Sequence, residues 1–205
     1  YVDEPACFGV PPYLSPYPRY IAGALYECKF SKQSVHYTTI DHLRKSSDMK
    51  EIIKNADIVI IIAGMTVPGK YLSATPITLN EIESVFKTAS GSKILGGPIR
   101  LGFSKQGGES ANELGINTDD VFVAKEDIES FVYDFIKNDR KIESIEHRQR
   151  TIEEIGRWAT NGAFIHQQHP DYPYIMCELE TYRGCGRKTH CSFCTEPFYK
   201  ESRYR

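Results

Sequence analysis

The sequence predicts an α/β fold built on a doubly wound, five-stranded parallel sheet. Three observations predict it. Residues 57–63 form a continuous Ile/Val run, Asp-Ile-Val-Ile-Ile-Ile-Ala, as expected of a strand covered on both faces. Short apolar runs alternate with amphipathic helical patterns through the first 138 residues. The turns that follow the apolar runs are rich in glycine and proline, so strand, turn and helix repeat in the order of right-handed βαβ units.

Taken in order, residues 6–10 read as a first strand, followed by a proline-rich stretch to Pro18 that reads as neither helix nor central strand. Residues 19–27 read as a helix, and 34–40, rich in β-branched and aromatic side chains, as a second strand. Asp48 with Glu51 reads as a capping box opening a short helix to about Asn55, before the third strand at 57–63. Thr78 and Glu81 form another box, and Ile82, Val85, Phe86 and Ala89 follow at the spacing of one buried helix face. Residues 92–95 and 121–124 are the fourth and fifth strands, and the next helix buries Ile128, Phe131, Val132, Phe135 and Ile136.

Residues 139–171 turn charged and polar and read as a helical linker. In it Thr151 and Glu154 cap a helix that carries Ile152, Ile155 and Trp158 on one side and stops at Asn161-Gly162. Residues 172–181 then read as a new strand. His166 and His169 fall in a linker loop. The expected division is therefore 1–138, 139–171 and 172–205.

Composition narrows the function classes. With 205 residues, 40% hydrophobic content and a formal net charge of −2, the chain is ordinary for a globular protein. That charge argues against a surface that coats nucleic acid or membrane, and no window reaches the ~18–20 apolar residues of a membrane span. Four of the six cysteines lie between Cys177 and Cys194, a clustering that suggests metal ligation in a reducing compartment, hence the cytoplasm. Cys7 and Cys28 read as small buried side chains. The start at Tyr1 reads as that of a piece of a longer polypeptide.

The chemistry concentrates in Cys185, Cys191 and Cys194, spaced C-x5-C-x2-C. A [4Fe–4S] cluster is ordinarily held by four thiolates. Three leave one iron open to a small ligand. Gly184 and Gly186 let backbone pass close to such a cluster, and Phe193 would shield it. Zinc is the alternative: adding Cys177 gives C-x7-C-x5-C-x2-C, with His190 a further donor, and the protein is then a non-catalytic binding module with a zinc-stabilised tail.

The segment Arg183-Gly184-Cys185 followed by Cys191-Ser-Phe-Cys194 resembles the radical S-adenosylmethionine (SAM) superfamily, whose usual signature is C-x3-C-x2-C with an aromatic residue before the last cysteine. The first gap here is five residues instead of three. The front part is similar in length and element order to the B12-binding, flavodoxin-like domain of archaeal radical SAM proteins.

The resemblance implies metal ligands Cys185, Cys191 and Cys194, cofactor contacts from Gly184 and Phe193, and a partial (β/α) barrel beginning at residue 172. It also implies reductive cleavage of SAM to a 5′-deoxyadenosyl radical, with electrons from a ferredoxin or flavodoxin and a substrate not specified. Catalytic side chains are expected beyond Arg205, and residues 1–205 alone are expected to be inactive. A cobalamin-dependent radical methyltransferase on the same scaffold is a further alternative that the resemblance leaves open, although no D-x-H-x-x-G motif supports cobalamin; Asp41-His42 lacks the spacer.

Other features read less specifically. Gly107-Gly108-Glu109 imitates the superfamily's SAM-binding motif but precedes the cysteines, and reads as a turn. The glycine loops at 64–70 and 96–98 would line the crevice at the carboxyl ends of the strands. Glu178 and Glu180 alternate along the last strand and share a side. Arg183, Arg187, Lys188, Lys200, Arg203 and Arg205 make the tail basic, a pattern typical of a solvated surface.

Overall fold

The computed structural model describes residues 12–64, 77–101, 120–189 and 202–203. Its centre is a parallel sheet of three strands, β2 (Ile58–Ile62), β3 (Ser92–Gly96) and β4 (Val121–Val123), in the order β2-β3-β4. Ile58 pairs with Ser92 and Lys93 with Val121. Side chains alternate across the pleat, so each strand serves two cores. Ile58, Ile60 and Ile62 face a cluster with Ile94, Ile128 and Phe131, whereas Val59 and Ile61 face one with Leu95, Ile82 and Phe86.

Helices supply the outer layers. On one side lie α1 (Pro16–Glu27) and α5 (Ile128–Lys137), through Ile21, Leu25, Val132 and Phe135. On the other lies α4 (Leu79–Thr88), opened by the expected capping box: Glu81 receives the Thr78 N–H at 2.8 Å, and Thr78 Oγ1 accepts from Glu81 N–H at 3.3 Å. Each fully buried Ile or Phe contributes roughly 1.5–3 kcal/mol. The arrangement is α/β with parallel strands, as the repeating pattern predicts.

Several expectations need correction. Residues 34–40 are not a sheet strand. Ser31 caps a short 3-10 turn over Lys32–Ser34, and Thr39 caps α2 (Ile40–Lys45). Between them, the Gln168 side chain takes the place of a neighbouring strand: its Oε1 accepts from Tyr37 N–H at 2.7 Å and its Nε2 donates to Val35 O at 2.8 Å. The described sheet has three strands; residues 6–10, read as another, lie outside the described residues.

Second, α1 starts at Pro16, inside the proline-rich stretch. Pro16 and Pro18 fall in its first turn, where backbone N–H groups have no helical acceptor and a fixed φ suits the helix. Third, Asp48 does not cap α3 (Asp48–Asn55); it is the first helical residue, behind Ser47. Fourth, Ile152 is 60% exposed although Ile155 and Trp158 are buried.

The helix α6 (Ile152–Asn161) has the expected capping box, Thr151 with Glu154, and lies across α1. Trp158, fully buried, packs with Tyr20 and Ala24 of α1, and its indole N–H donates to Glu27 at 2.9 Å. The residues read as one strand at 172–181 form a two-residue strand, β5 (Met176–Cys177), parallel to β1 (Tyr13–Leu14). Next comes β6 (Tyr182–Arg183), antiparallel to β7 (Ser202–Arg203). No described helix is long and apolar enough to cross a membrane.

Candidate functional site

Cys185 is the described member of the cysteine trio. It follows β6 through Gly184, whose φ of +88° is the left-handed turn that glycine adopts without a Cβ penalty. Its thiol is half-buried and outside any disulfide. Cys191, Cys194, Phe193 and His190 lie outside the described residues, as do Gly107, Gly108 and Glu109. Among the described residues, no group of three or more His, Cys, Asp or Glu side chains is placed to hold a metal. The donor chemistry of the trio, three thiolates within ten residues, fits a cluster of iron and sulfide. Gly184 and Cys185 fit it locally, with an open turn followed by a half-buried, unpaired thiol.

What fixes that turn is a buried set of ion pairs that the sequence reading does not foresee. Arg183, expected on a solvated basic surface, is buried, with its side chain 5% exposed. Its guanidinium forks onto Asp127, Nη1 meeting Oδ2 at 2.7 Å and Nη2 meeting Oδ1. Asp127 is the residue before α5, and its Oδ2 also accepts the Arg150 N–H at 2.9 Å. Arg150 reaches two further carboxylates, Glu129 of α5 and Glu180 just before β6. The Tyr20 and Tyr17 rings lie against its guanidinium at 5.0 and 5.9 Å.

The electrostatics follow from burial and pairing. Burial opposes charge on Asp127, but the Arg183 hydrogen bonds and the Arg150 charge outweigh it and hold the carboxyl below the usual range. Burial pushes Glu180 up, against the pull of Arg150 and Arg183. Burial likewise raises Glu129, and the neighbouring Asp127 charge adds to it while Arg150 opposes. Three carboxylates thus share two guanidiniums at the foot of the cysteine loop. Of the three carboxylates only Glu180 was singled out from the sequence, and it turns inward to Arg150.

The remaining candidates lie elsewhere. Cys177, the added donor of the zinc alternative, is exposed on β5, with Sγ 3.6 Å from His166 Nδ1. His166 stands in a 3-10 turn (Ala163–Gln168) and His169 is buried beside Tyr37, so neither is in an open loop. Burial lowers the pKa of both. Cys28 is half-buried, and burial raises its thiol pKa; Cys7 is outside the described residues.

Asp41 is engaged by Arg44 at 2.9 Å and His42 Nδ1 lies 2.9 Å from Thr38 Oγ1, so both are tied into the α2 region. At the carboxyl ends of β2 and β3, Gly64 and Gly97 take φ of +82° and +91°, and a Cβ on Gly64 would strike the Ile99 backbone. Most of the loops beyond them, 65–76 and 102–119, lie outside the described residues.

Comparison with known proteins finds two relatives. The chain is 44% identical over 204 residues to an uncharacterised protein of Methanocaldococcus jannaschii, covering 96% of this chain and 36% of the relative. It is 41% identical over 198 residues to an uncharacterised protein of Archaeoglobus fulgidus, covering 96% of this chain and 33% of the relative. The chain therefore spans about a third of the length of the curated relatives it matches. No family model matches, and no solved structure matches.

Proposed function

We propose that the chain is the front part of a radical SAM enzyme. Its α/β domain would have the flavodoxin-like topology of B12-binding domains, and its tail would open the barrel that carries the cluster. The observation that carries this reading is the run Arg183-Gly184-Cys185 as it folds: a short strand ends, a positive-φ glycine turns the chain, and a half-buried thiol follows. Cys185, Cys191 and Cys194 would hold the cluster. Bound there with an open iron, the group supplies one-electron reductive cleavage of SAM to a 5′-deoxyadenosyl radical.

The chain's own residues bind and orient. Three thiolates would hold the cluster, Gly184 would admit it close to the backbone, and Phe193, between the last two cysteines in sequence, would shield it. The buried ion pairs of Arg183 with Asp127 and of Arg150 with Glu180 support the segment that leads into the loop. A ferredoxin or flavodoxin would deliver the electron in a reducing cytoplasm.

The exposed Cys177 thiol beside His166 favours a second reading, a zinc-stabilised tail on a non-catalytic module, because sulfur and imidazole are the usual zinc donors. Anaerobic reconstitution of the full-length protein separates the two. The radical SAM reading expects about four irons and four sulfides per chain, loss of the cluster in Cys185→Ala, Cys191→Ala and Cys194→Ala, and methionine released from SAM on reduction. One zinc and no sulfide would overturn it.

A further inference from the structure

We infer that Arg183 and Asp127 are positioning residues for the cysteine loop: the front domain holds the first cluster ligand in place through this buried pair. The inference deepens the radical SAM reading and rests on it for the identity of what the loop holds. Arg183 lies two residues before Cys185, the trio's first thiol. β6 is two residues long and pairs with another two-residue strand, so its hydrogen-bond ladder is slight. What ties it down is side-chain chemistry.

The fork from Arg183 to Asp127 crosses 56 residues of sequence and ends at the residue before α5, in the front domain. Beside it Arg150 clamps Glu180, three residues before Arg183, to Glu129 in the first turn of α5. Both ends of the segment 180–183 are therefore anchored to one helix start, and Cys185 is carried on that anchored segment. A planar five-donor guanidinium sets orientation as well as distance, which a single ammonium does not. Removing either partner strands a buried charge, so the segment would leave its seat.

The test uses the full-length protein and two readouts. Hydrogen exchange on the peptide covering residues 181–186 is read without iron. Release of iron to a ferrous chelator is read after anaerobic reconstitution. Arg183→Met and Asp127→Asn should each speed exchange in that peptide by about tenfold or more and accelerate iron release by a similar factor, because the remaining charge must escape to water. Arg183→Lys, which keeps the charge but not the fork, should fall between these variants and the wild type.

Arg148→Met is the control. Arg148 bridges Asp134 at 2.8 Å and Glu154 at 2.8 Å, tying α5 to α6 without touching β6. It should lower overall stability and leave both readouts unchanged. Arg183→Met and Asp127→Asn variants that fold, as judged by circular dichroism, and match wild type in exchange and iron release overturn the inference. So does an Arg148→Met variant that moves the 181–186 peptide as much as they do. A variant too unstable to read is replaced by Arg183→Lys, whose equality with wild type in both readouts also overturns it. A wild type that binds no iron but shows the exchange response refutes the cluster reading alone and leaves the anchoring intact.

Discussion

Gly23 of α1 lies directly against the backbone of Trp158 in α6: a Cβ on Gly23 would overlap the Trp158 carbonyl and Cα. The same crossing brings Gly162 onto the Arg19 carbonyl. Two glycines thus set how closely the two helices approach, and their contact buries Tyr20, Ala24, Ile155 and Trp158.

Gly23→Ala should therefore push the helices apart and cost about 3 kcal/mol, the upper range for overpacking against backbone that cannot yield. Urea denaturation would show the midpoint falling at an unchanged slope. A loss under 0.5 kcal/mol, the usual size of a surface substitution, would mean that the crossing is looser than described.

Glu27 receives the Trp158 indole N–H at 2.9 Å, the Tyr133 hydroxyl at 3.3 Å and an ion pair from Arg157. Glu27→Ala leaves a buried indole donor unsatisfied and should cost about 2 kcal/mol. Trp158 is the sole tryptophan, so its fluorescence reports this directly. The wild type should resist iodide quenching, and the variant should become more quenchable and red-shifted.

The Arg44–Glu81 pair ties α2 to α4, with Nε to Oε1 at 2.8 Å and Nη2 to Oε2 at 2.9 Å. The Arg44 hydrogen bonds hold the Glu81 carboxyl down at about 2, from an ordinary 4.5. A depressed carboxylate stabilises the fold above its unfolded value and loses that contribution as pH falls through the folded one. Because the pair is partly exposed, its contribution is about 1 kcal/mol after screening. Glu81→Gln should be less stable than wild type at pH 7, and the gap should close between about pH 5 and pH 2. A gap that persists below pH 2 would assign the loss to packing.

Gln168 stands in for a strand neighbour of residues 35–37. Gln168→Ala should cost about 2 kcal/mol, since a backbone donor and acceptor both lose a partner in a half-buried place. Hydrogen exchange at the Tyr37 amide should rise well above that of β3, which the substitution does not touch.

The local signals in this chain were the reliable ones. Thr78 with Glu81 and Thr151 with Glu154 cap the helices expected of them, because a capping box needs only residues three apart. The Ile/Val run at 58–62 is a strand covered on both faces because its pattern admits little else. Residues 34–40 carry equal β-propensity yet form no ladder, because the Gln168 amide, over 130 residues away, satisfies their backbone instead.

Arg183 was misread for the same reason. In sequence it belongs to a basic tail, and only the fold brings Asp127 to it. Glu129, buried at the start of α5 among Ile128, Phe131 and Val132, was the one available hint that a cation must reach that helix. Of the expected metal ligands only Cys185 lies among the described residues, and it follows the short strand β6 rather than the strand expected at 172–181.

The pairing of Leu14 with Cys177 joins positions roughly 160 residues apart, so closing that loop costs about 4–5 kcal/mol of chain entropy. A contact this remote repays its cost only after the intervening helices and sheet are in place, which makes it a late event in folding. During synthesis the segment around Cys177 leaves the ribosome after the helices and sheet that precede it and meets a scaffold already assembled. A chain stalled before Met176 would leave Tyr13–Leu14 without the partner strand described for it, open to the proteases that police unfinished proteins.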